Sequence, residues 1–502
     1  MSAAPTDEAF AGSRECFEML VGWLDGDPAG GLTHGELEQQ LDLRGRELLR
    51  RLLQDHLELR ARHEPRLEEV LDVRQVSRGS VEAGHRRALG TVFGPVEVER
   101  LAYRRKGCAN LHPADATLNL PVGKHSHGLR RLAAIEATRG SFDQAVEAVQ
   151  RTCGQQLGKR QVEDLAAASV VDFEAFYTAR TPPGANPDDV LVLSCDGKGI
   201  VMRPDALRPA TAKAARDASN KLASRLSKGE KRNRKRMAEV GAVYDITPVA
   251  RSPAHIMQRS QHDTDHDQPA PAPAASGKWL TASVIDDAAE VVTAIFDEAD
   301  RRDPHHRRRR IALVDGNNHQ IETIHTEATK RNLDISILID FVHVLEYLWS
   351  AGWSFFDEAD PAAETWVADK AMQVLEGNAR QVATGIRRRA TRKGLDTRRR
   401  INADRAAAYL TNKADYLNYP NALAQGWPIA TGIIEGACRH LIKDRMDLTG
   451  ARWGLHGAEA ILKLRALRSN GDFDDYWTFH LAHEHQRVHQ SRYANNTVPQ
   501  AA

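Results

Sequence analysis

No long apolar run occurs in this 502-residue chain; stretches such as Ile335 to Ile339 fall far short of the roughly 20 residues a bilayer-spanning helix needs. Cysteine is scarce as well. Cys16, Cys108, Cys153, Cys195 and Cys438 form no CxxC pair, which excludes a disulfide framework or a zinc ribbon and leaves free thiols. Asp7, Glu8 and Glu15 stand where a secretory leader would carry basic residues before an apolar stretch, so the expected location is the cytoplasm. Net charge is nearly absent too, at +1 from 69 basic and 68 acidic residues. With 41% hydrophobic and 27% charged residues the composition is that of a globular protein rather than a disordered one. A single core rarely serves much beyond about 250 residues, so several domains are expected.

What is present is charge gathered locally. Lys221 to Arg236 carries eight Lys or Arg against one Glu, Arg301 to Arg310 holds six Arg and two His, and Arg387 to Arg405 is again rich in Arg. One such cluster reads as a solvated face. Three on a neutral chain are the footprint of a phosphate-backbone ligand.

The pattern predicts a mainly helical N-terminal region over residues 1–125. Leu37, Leu41, Leu48, Leu52 and Leu59 recur at helical spacing between Glu36 and Arg62, and Pro65 closes the segment. A hairpin follows, Arg87 to Phe93 and Val96 to Tyr103, joined at Gly94-Pro95. Residues 126–182 read as a helix-turn-helix-like DNA-binding bundle with helices over 129–139, 142–151 and 161–177. The breaker-rich segment Thr181 to Pro187 marks a boundary.

Beyond it the alternation changes to α/β. Strands are expected over Val190 to Cys195, Val240 to Ile246 and Ala254 to Gln258, then a helix, a strand (Ile311 to Val314), a helix and a strand (Ile335 to Ile339). A polar loop from Ser260 to Ser276 holds His262, Asp263, Asp265, His266 and Asp267 and is expected to be a loop rather than a metal site. The expected catalytic domain spans 188–345 and 428–480, with a helical insertion over 346–427 and a tail over 481–502. His480, His483, His485 and His489 have spacings a metal could use, but a polar helix face is the simpler expectation.

Three expected strands end in aspartate (Asp196, Asp315, Asp340), and a later helix presents Glu435. Carboxylates at strand ends gather along one sheet edge, where open α/β sheets hold their ligands. Hard oxygen donors suit Mg²⁺ or Mn²⁺, and two such ions about 3.5–4 Å apart stabilise the attacking and leaving oxygens of a phosphoryl displacement. Asp196, Asp315 and Glu435 are the expected catalytic and metal-binding acids. Asp340 is the alternative third ligand, and His343 either orients phosphate or water or caps a helix. Read singly, each Asp is also an ordinary turn or cap residue, and Glu435 with Arg439 an ordinary helix pair. Trp453 is either a base-stacking residue, with Arg452 on phosphate, or a core residue.

Four blocks carry a resemblance: Cys195-Asp196-Gly197-Lys198-Gly199, Leu313-Val314-Asp315-Gly316-Asn317, the run from Asp340 through His343 to Trp349, and Gly432-Ile433-Ile434-Glu435-Gly436. In this order they resemble the signature blocks of the ISKra family of bacterial insertion-sequence transposases, relatives of the Mutator-like group. The resemblance covers about Ser126 to Trp477. It implies an RNase H-like mixed-sheet domain with a helical insertion, on which Asp196, Asp315 and Glu435 match the DDE triad and Asp340 and His343 the D-x-x-H block. The family's cysteine-based knuckle has no counterpart, since Cys108 stands alone. The resemblance implies metal-dependent cleavage at the terminal inverted repeats of an element, then strand transfer to target DNA, near the nucleoid. The candidate DNA contacts are Lys198, Lys231, Arg232, Arg234, Lys235, Arg236, Arg439, Lys443, Arg452 and Trp453. The expected partners are double-stranded DNA and further copies of the chain, because pairing two ends takes at least two subunits; no heptad seam specifies them. The rival readings are a catalytically degenerate DNA-binding protein and a structure-specific nuclease.

Overall fold

The computed structural model describes residues 9–182, 184, 186–217, 234–258, 273–448 and 450–500. The chain divides into two compact units, Met1–Ala179 with Gly471–Ala502, and Arg180–Asn470. Helix Phe473–Val488, expected partly in the catalytic domain and partly in a tail, belongs to the first unit.

The first unit begins with a helical hairpin, α1 (Ala11–Asp25) and α2 (His34–Arg62). A capping box starts α2: the Thr33 backbone N–H and hydroxyl both donate to Glu36, which meets orphan donors at the helix start. Strands β1 (Ser80–Thr91) and β2 (Gly94–Arg104) pair antiparallel, turning at Val92-Phe93, two residues earlier than expected. After a short helix, Pro113–Thr117, come α3 (His127–Ala137), α4 (Phe142–Cys153), α5 (Lys159–Ala168) and α6 (Phe173–Ala179). The predicted third helix is thus two, broken after Ala168. The hydroxyl of Ser169 turns back onto the Leu165 carbonyl there, a local bond that competes with helix continuation.

The second unit is mixed α/β. Its five-stranded sheet has β3 (Val190–Val201), β4 (Lys235–Ile246), β5 (Ala275–Ser283), β6 (Arg310–Val314) and β7 (Ser336–Ile339) in spatial order β5-β4-β3-β6-β7. The β5-β4-β3 half is antiparallel, and β6 and β7 run parallel to β3. Helices α7 (Ala288–Arg302) and α8 (Asn318–Lys330) make the crossovers.

The third strand departs from expectation. Pro253–Gln258 is a short helix with Pro at its start, where the missing N–H costs nothing, and the strand is β5, whose Trp279 and Ala282 are buried. The His- and Asp-rich part of the polar loop, His262 to Asp267, lies outside the described residues.

Helices α9 (Phe341–Gly352), α10 (Pro361–Leu375), α11 (Ala379–Arg392) and α12 (Thr397–Asn412) fill the stretch expected to be helical. Next come α13 (Gly432–Ala437), a π-helical turn Cys438–Lys443 and α14 (Leu455–Ser469). Helix Phe473–Val488 is α15.

Candidate active site

Strand register arranges the aspartates. Ser194 pairs with Leu313 across β3 and β6, and Leu313 pairs with Leu338 across β6 and β7. Two residues beyond each pair stand Asp196, Asp315 and Asp340, in one row, and period-2 alternation starts all three on one face.

Asp196 does not end its strand. β3 continues to Val201, and β4 pairs with it as far as Lys235. Side chains of β4 lie over the two glycines: a Cβ on Gly197 would sit 2.9 Å from Glu239 Oε2 and Met237 Cε, and one on Gly199 3.0 Å from Lys235 Cδ. The Asp-Gly-Lys-Gly run is therefore strand rather than turn. Asp196 Oδ1 accepts from its neighbour's Gly197 N–H at 2.6 Å, and Oδ2 accepts from Cys438 Sγ at 3.2 Å. Burial first, then Asp196, pushes the Cys438 thiol well above its ordinary range.

Asp315 opens a tight turn, its Oδ1 accepting from Asn317 N at 2.8 Å. Gly316 has φ +91°, and a Cβ there would meet Tyr409 Oη at 2.7 Å. Tyr409, on α12, donates its hydroxyl to the Asp315 carbonyl at 3.1 Å and stacks on Tyr347 of α9 at 3.8 Å. These residues, with His343, Glu346, Ser350 and Arg405, line a cleft of about 400 Å³.

Asp340 is fully buried and its carboxylate is committed to protein donors. Oδ1 accepts from Val342 N at 2.7 Å, capping α9; Oδ2 accepts from Thr431 N at 3.0 Å and from the Thr431 hydroxyl. Thr431 is the residue before α13. Asp340 thereby ties the end of β7 to the start of the helix that carries Glu435.

Glu435 is exposed, yet its carboxyl is raised above its ordinary value, by partial burial first and then by Asp340, with Glu346 and Asp196 adding and His343 opposing. Among the described residues, a group able to hold a cation is Asp340, His343 and Glu435, whose ligand atoms lie within 4.8 Å of one another. Asp196 and Asp315 stand outside that group. His343 does not cap α9, since Asp340 does; its Nδ1 lies 3.3 Å from Glu346 Oε2. Hard oxygen donors with one imidazole at this spacing are of the kind that suits a divalent metal.

The candidate DNA contacts separate by environment. Lys198, Arg439, Lys443 and Arg452 are exposed, and Arg439 reaches Asp444 at 3.9 Å rather than pairing with Glu435. Arg234 and Lys235 are half-buried. Arg236 donates to the carbonyls of Val284, Ala206 and Ile285, which makes it a backbone clamp. Lys231 and Arg232 lie outside the described residues. Trp453 is 4% exposed, its Nε1 donating to the Met446 carbonyl at 3.0 Å and its ring lying under the Arg445 guanidinium. A stacking platform must offer an open ring face, and a ring this buried offers none, so Trp453 is a core residue rather than a base-stacking one.

The C-terminal histidines are likewise no polar helix face. His480 is fully buried against Asp172 at 2.7 Å, and His485 and His489 reach the carbonyls of Ala116 and Leu120.

Sequence reasoning passed over three contributors. Glu239, raised by burial first and also by Asp196, lies across from Gly197 in β4. Thr431 and Tyr409 hold two of the acids in place; Thr431 carries a local signal, four residues before Glu435, while Tyr409 carries none. A comparison with known protein families finds no family model that matches the chain, and no curated protein matches it.

Proposed function

We propose that the chain is a metal-dependent DNA transposase of the kind its four blocks resemble, acting at the ends of an insertion sequence. The observation that carries this reading is the row Asp196, Asp315, Asp340 with the Glu435 helix docked on Asp196 through Cys438. The sheet order, three antiparallel strands followed by two parallel ones, supports an RNase H-like catalytic domain. In this reading Asp196, Asp315 and Glu435 hold Mg²⁺ or Mn²⁺. When bound, the metal pair supplies charge stabilisation for in-line displacement at phosphorus.

The chain's own residues do the positioning. Asp340 is a positioning residue, because its carboxylate is spent on Thr431 and Val342. His343 and Arg405 face the cleft beside Asp315, where a scissile phosphate carries charge for Arg405 to match. Lys198, Arg439, Lys443 and Arg452, which are exposed, contact DNA phosphates, with the Arg-rich stretch Arg387 to Arg405 adding positive charge.

The test uses the full chain with Mg²⁺ and a labelled duplex carrying the terminal inverted repeats. Nicking at the ends followed by joining to target is the expected result. Binding without nicking favours a degenerate DNA-binding protein, and nicking without joining a structure-specific nuclease. Asp196→Ala, Asp315→Ala and Glu435→Ala should each lower cleavage by ~10²-fold or more, the scale for loss of one transition-state-stabilising group. End-binding should persist; its loss would make the acids structural.

A further inference from the structure

We propose that one face of the α1–α2 hairpin is the surface on which a second copy of this chain docks. The helices are antiparallel: Ser13 N donates to Asp55 at 2.8 Å near one end, and the Arg44 guanidinium lies 4.3 Å over the Trp23 ring near the other. α1 is covered chiefly where it meets α2, and α2 also packs on β2, where Leu57 and Leu53 join Leu89, Val96 and Val98. Ser13 is the buried residue of α1, and Asp55 and Leu57 those of α2. Yet Phe17 (51% exposed), Val21 (43%) and Leu24 (42%) form an i, i+4, i+7 stripe on α1, and Leu41 (39%), Leu49 (45%) and Leu52 (40%) flank Leu48 on α2.

At 3.6 residues per turn both stripes lie on the same side of the hairpin. On α1 the stripe is offset in one sense from Ser13, Cys16 and Leu20, which face α2. On α2 it is offset in the same sense from Asp55 and Arg44, and antiparallel axes turn equal offsets toward one side. The hairpin thus presents a two-helix apolar face, with Gly45 in its middle, where an added Cβ would meet open space.

Charge selects a second copy as the occupant. The free edge of the α2 stripe is acidic in its N-terminal half (Glu38, Asp42) and basic near its C-terminus (Arg60). An antiparallel two-fold pairing of α2 with itself sets Leu48 against Leu52 of the other copy, and Glu38 and Asp42 against its Arg60. Such a surface is complementary to itself, as a closed C2 interface requires. Among the described residues, the partners of these acids within one chain are helical neighbours, His34 at 3.7 Å from Glu38 and Arg46 at 2.7 Å from Asp42.

Sedimentation velocity on the full chain, without DNA or metal, tests this independently of the strand-transfer reading. The expected result is a dimer whose dissociation constant rises at least ~10-fold in Leu52→Glu and in Val21→Glu, a change of about 1.4 kcal/mol. Both sites are exposed, so circular dichroism and melting of the variants should match the parent at equal monomer content. The double variant Glu38→Arg, Asp42→Arg should weaken the dimer, and adding Arg60→Glu should restore it. A monomeric parent, or a dimer indifferent to Leu52→Glu and Val21→Glu, overturns the proposal. Failure of Arg60→Glu to restore association overturns the antiparallel register.

Discussion

At the scale of single residues, the acids of the candidate site differ in how free they are. Glu435 ends in solvent, whereas every polar contact of Asp340 is with the fold. Removing that carboxylate leaves the buried Thr431 N–H and hydroxyl without an acceptor, at about 1–3 kcal/mol per unsatisfied group. Asp340→Ala is therefore expected to lower the denaturation midpoint as well as cleavage. An unchanged midpoint with lost cleavage would make Asp340 a metal ligand in its own right. Gly316→Ala forces a side chain into left-handed backbone against Tyr409 and should cost about 1–3 kcal/mol. Tyr409→Phe, which keeps the Tyr347 stack but drops the hydroxyl, separates crowding from the hydrogen bond. Among these residues Asp196, Asp315, Asp340 and Glu435 were readable as candidates from residue type and spacing. Their division into free and committed carboxylates was not, because it depends on which donor lies opposite each one.

Elements show the same division between local pattern and packing. The apolar runs of β3 and β6 are legible because strands in the middle of a sheet are covered on both faces. The extension of β3 through Asp-Gly-Lys-Gly is not, since that string suits a turn equally well; pairing with β4 decides it. After Glu435 the helix widens into the π turn Cys438–Lys443, whose His440 carbonyl accepts from Arg465 Nε at 2.9 Å. Such widened turns occur mostly as single-turn bulges within α-helices, frequently at functional sites. Trp453 follows, and its ambiguity is resolved by cover: Trp453→Ala should cost about 3–5 kcal/mol of stability, as large-to-small core changes do. A protein as stable as the parent but weaker on DNA would return the residue to the interface.

Taken whole, the molecule folds as two units with separate chemistry. The first is held to its C-terminal helix α15 by a buried polar network: Arg130 bridges Glu484 at 2.7 Å, while His480 and Arg487 both meet Asp172. Burial depresses His480 below its ordinary value of 6.5, against the pull of Asp172, and also depresses His127 and His489. A depressed histidine binds its proton more readily once unfolded. Its contribution is thus complete above about pH 6.5, the unfolded value, and is lost as pH falls toward the folded one. Amide protection, corrected for the slower intrinsic exchange in acid, should therefore fall in α3 and α15 between pH 7 and pH 5 before it does in the β3–β7 sheet. Uniform acid loosening of both units would contradict this.

Under the proposed transposase reading, affinity for duplex DNA should fall linearly in log–log form with salt, by about 0.9 per phosphate neutralised; affinity indifferent to salt would count against that reading.

The amino-acid sequence by itself determined the mixed α/β class of the second unit, most of its helices and four of its five strands. These follow from periodicity and breakers, which act over a few residues. It also marked the carboxylates, whose chemistry is intrinsic to the residue. Only the tertiary structure decided which acid is buried and spent, that Trp453 and Arg236 serve the interior, and that the last histidines belong to the first unit. Burial and hydrogen-bond partnership are set by groups tens to hundreds of residues away, and no local pattern encodes them.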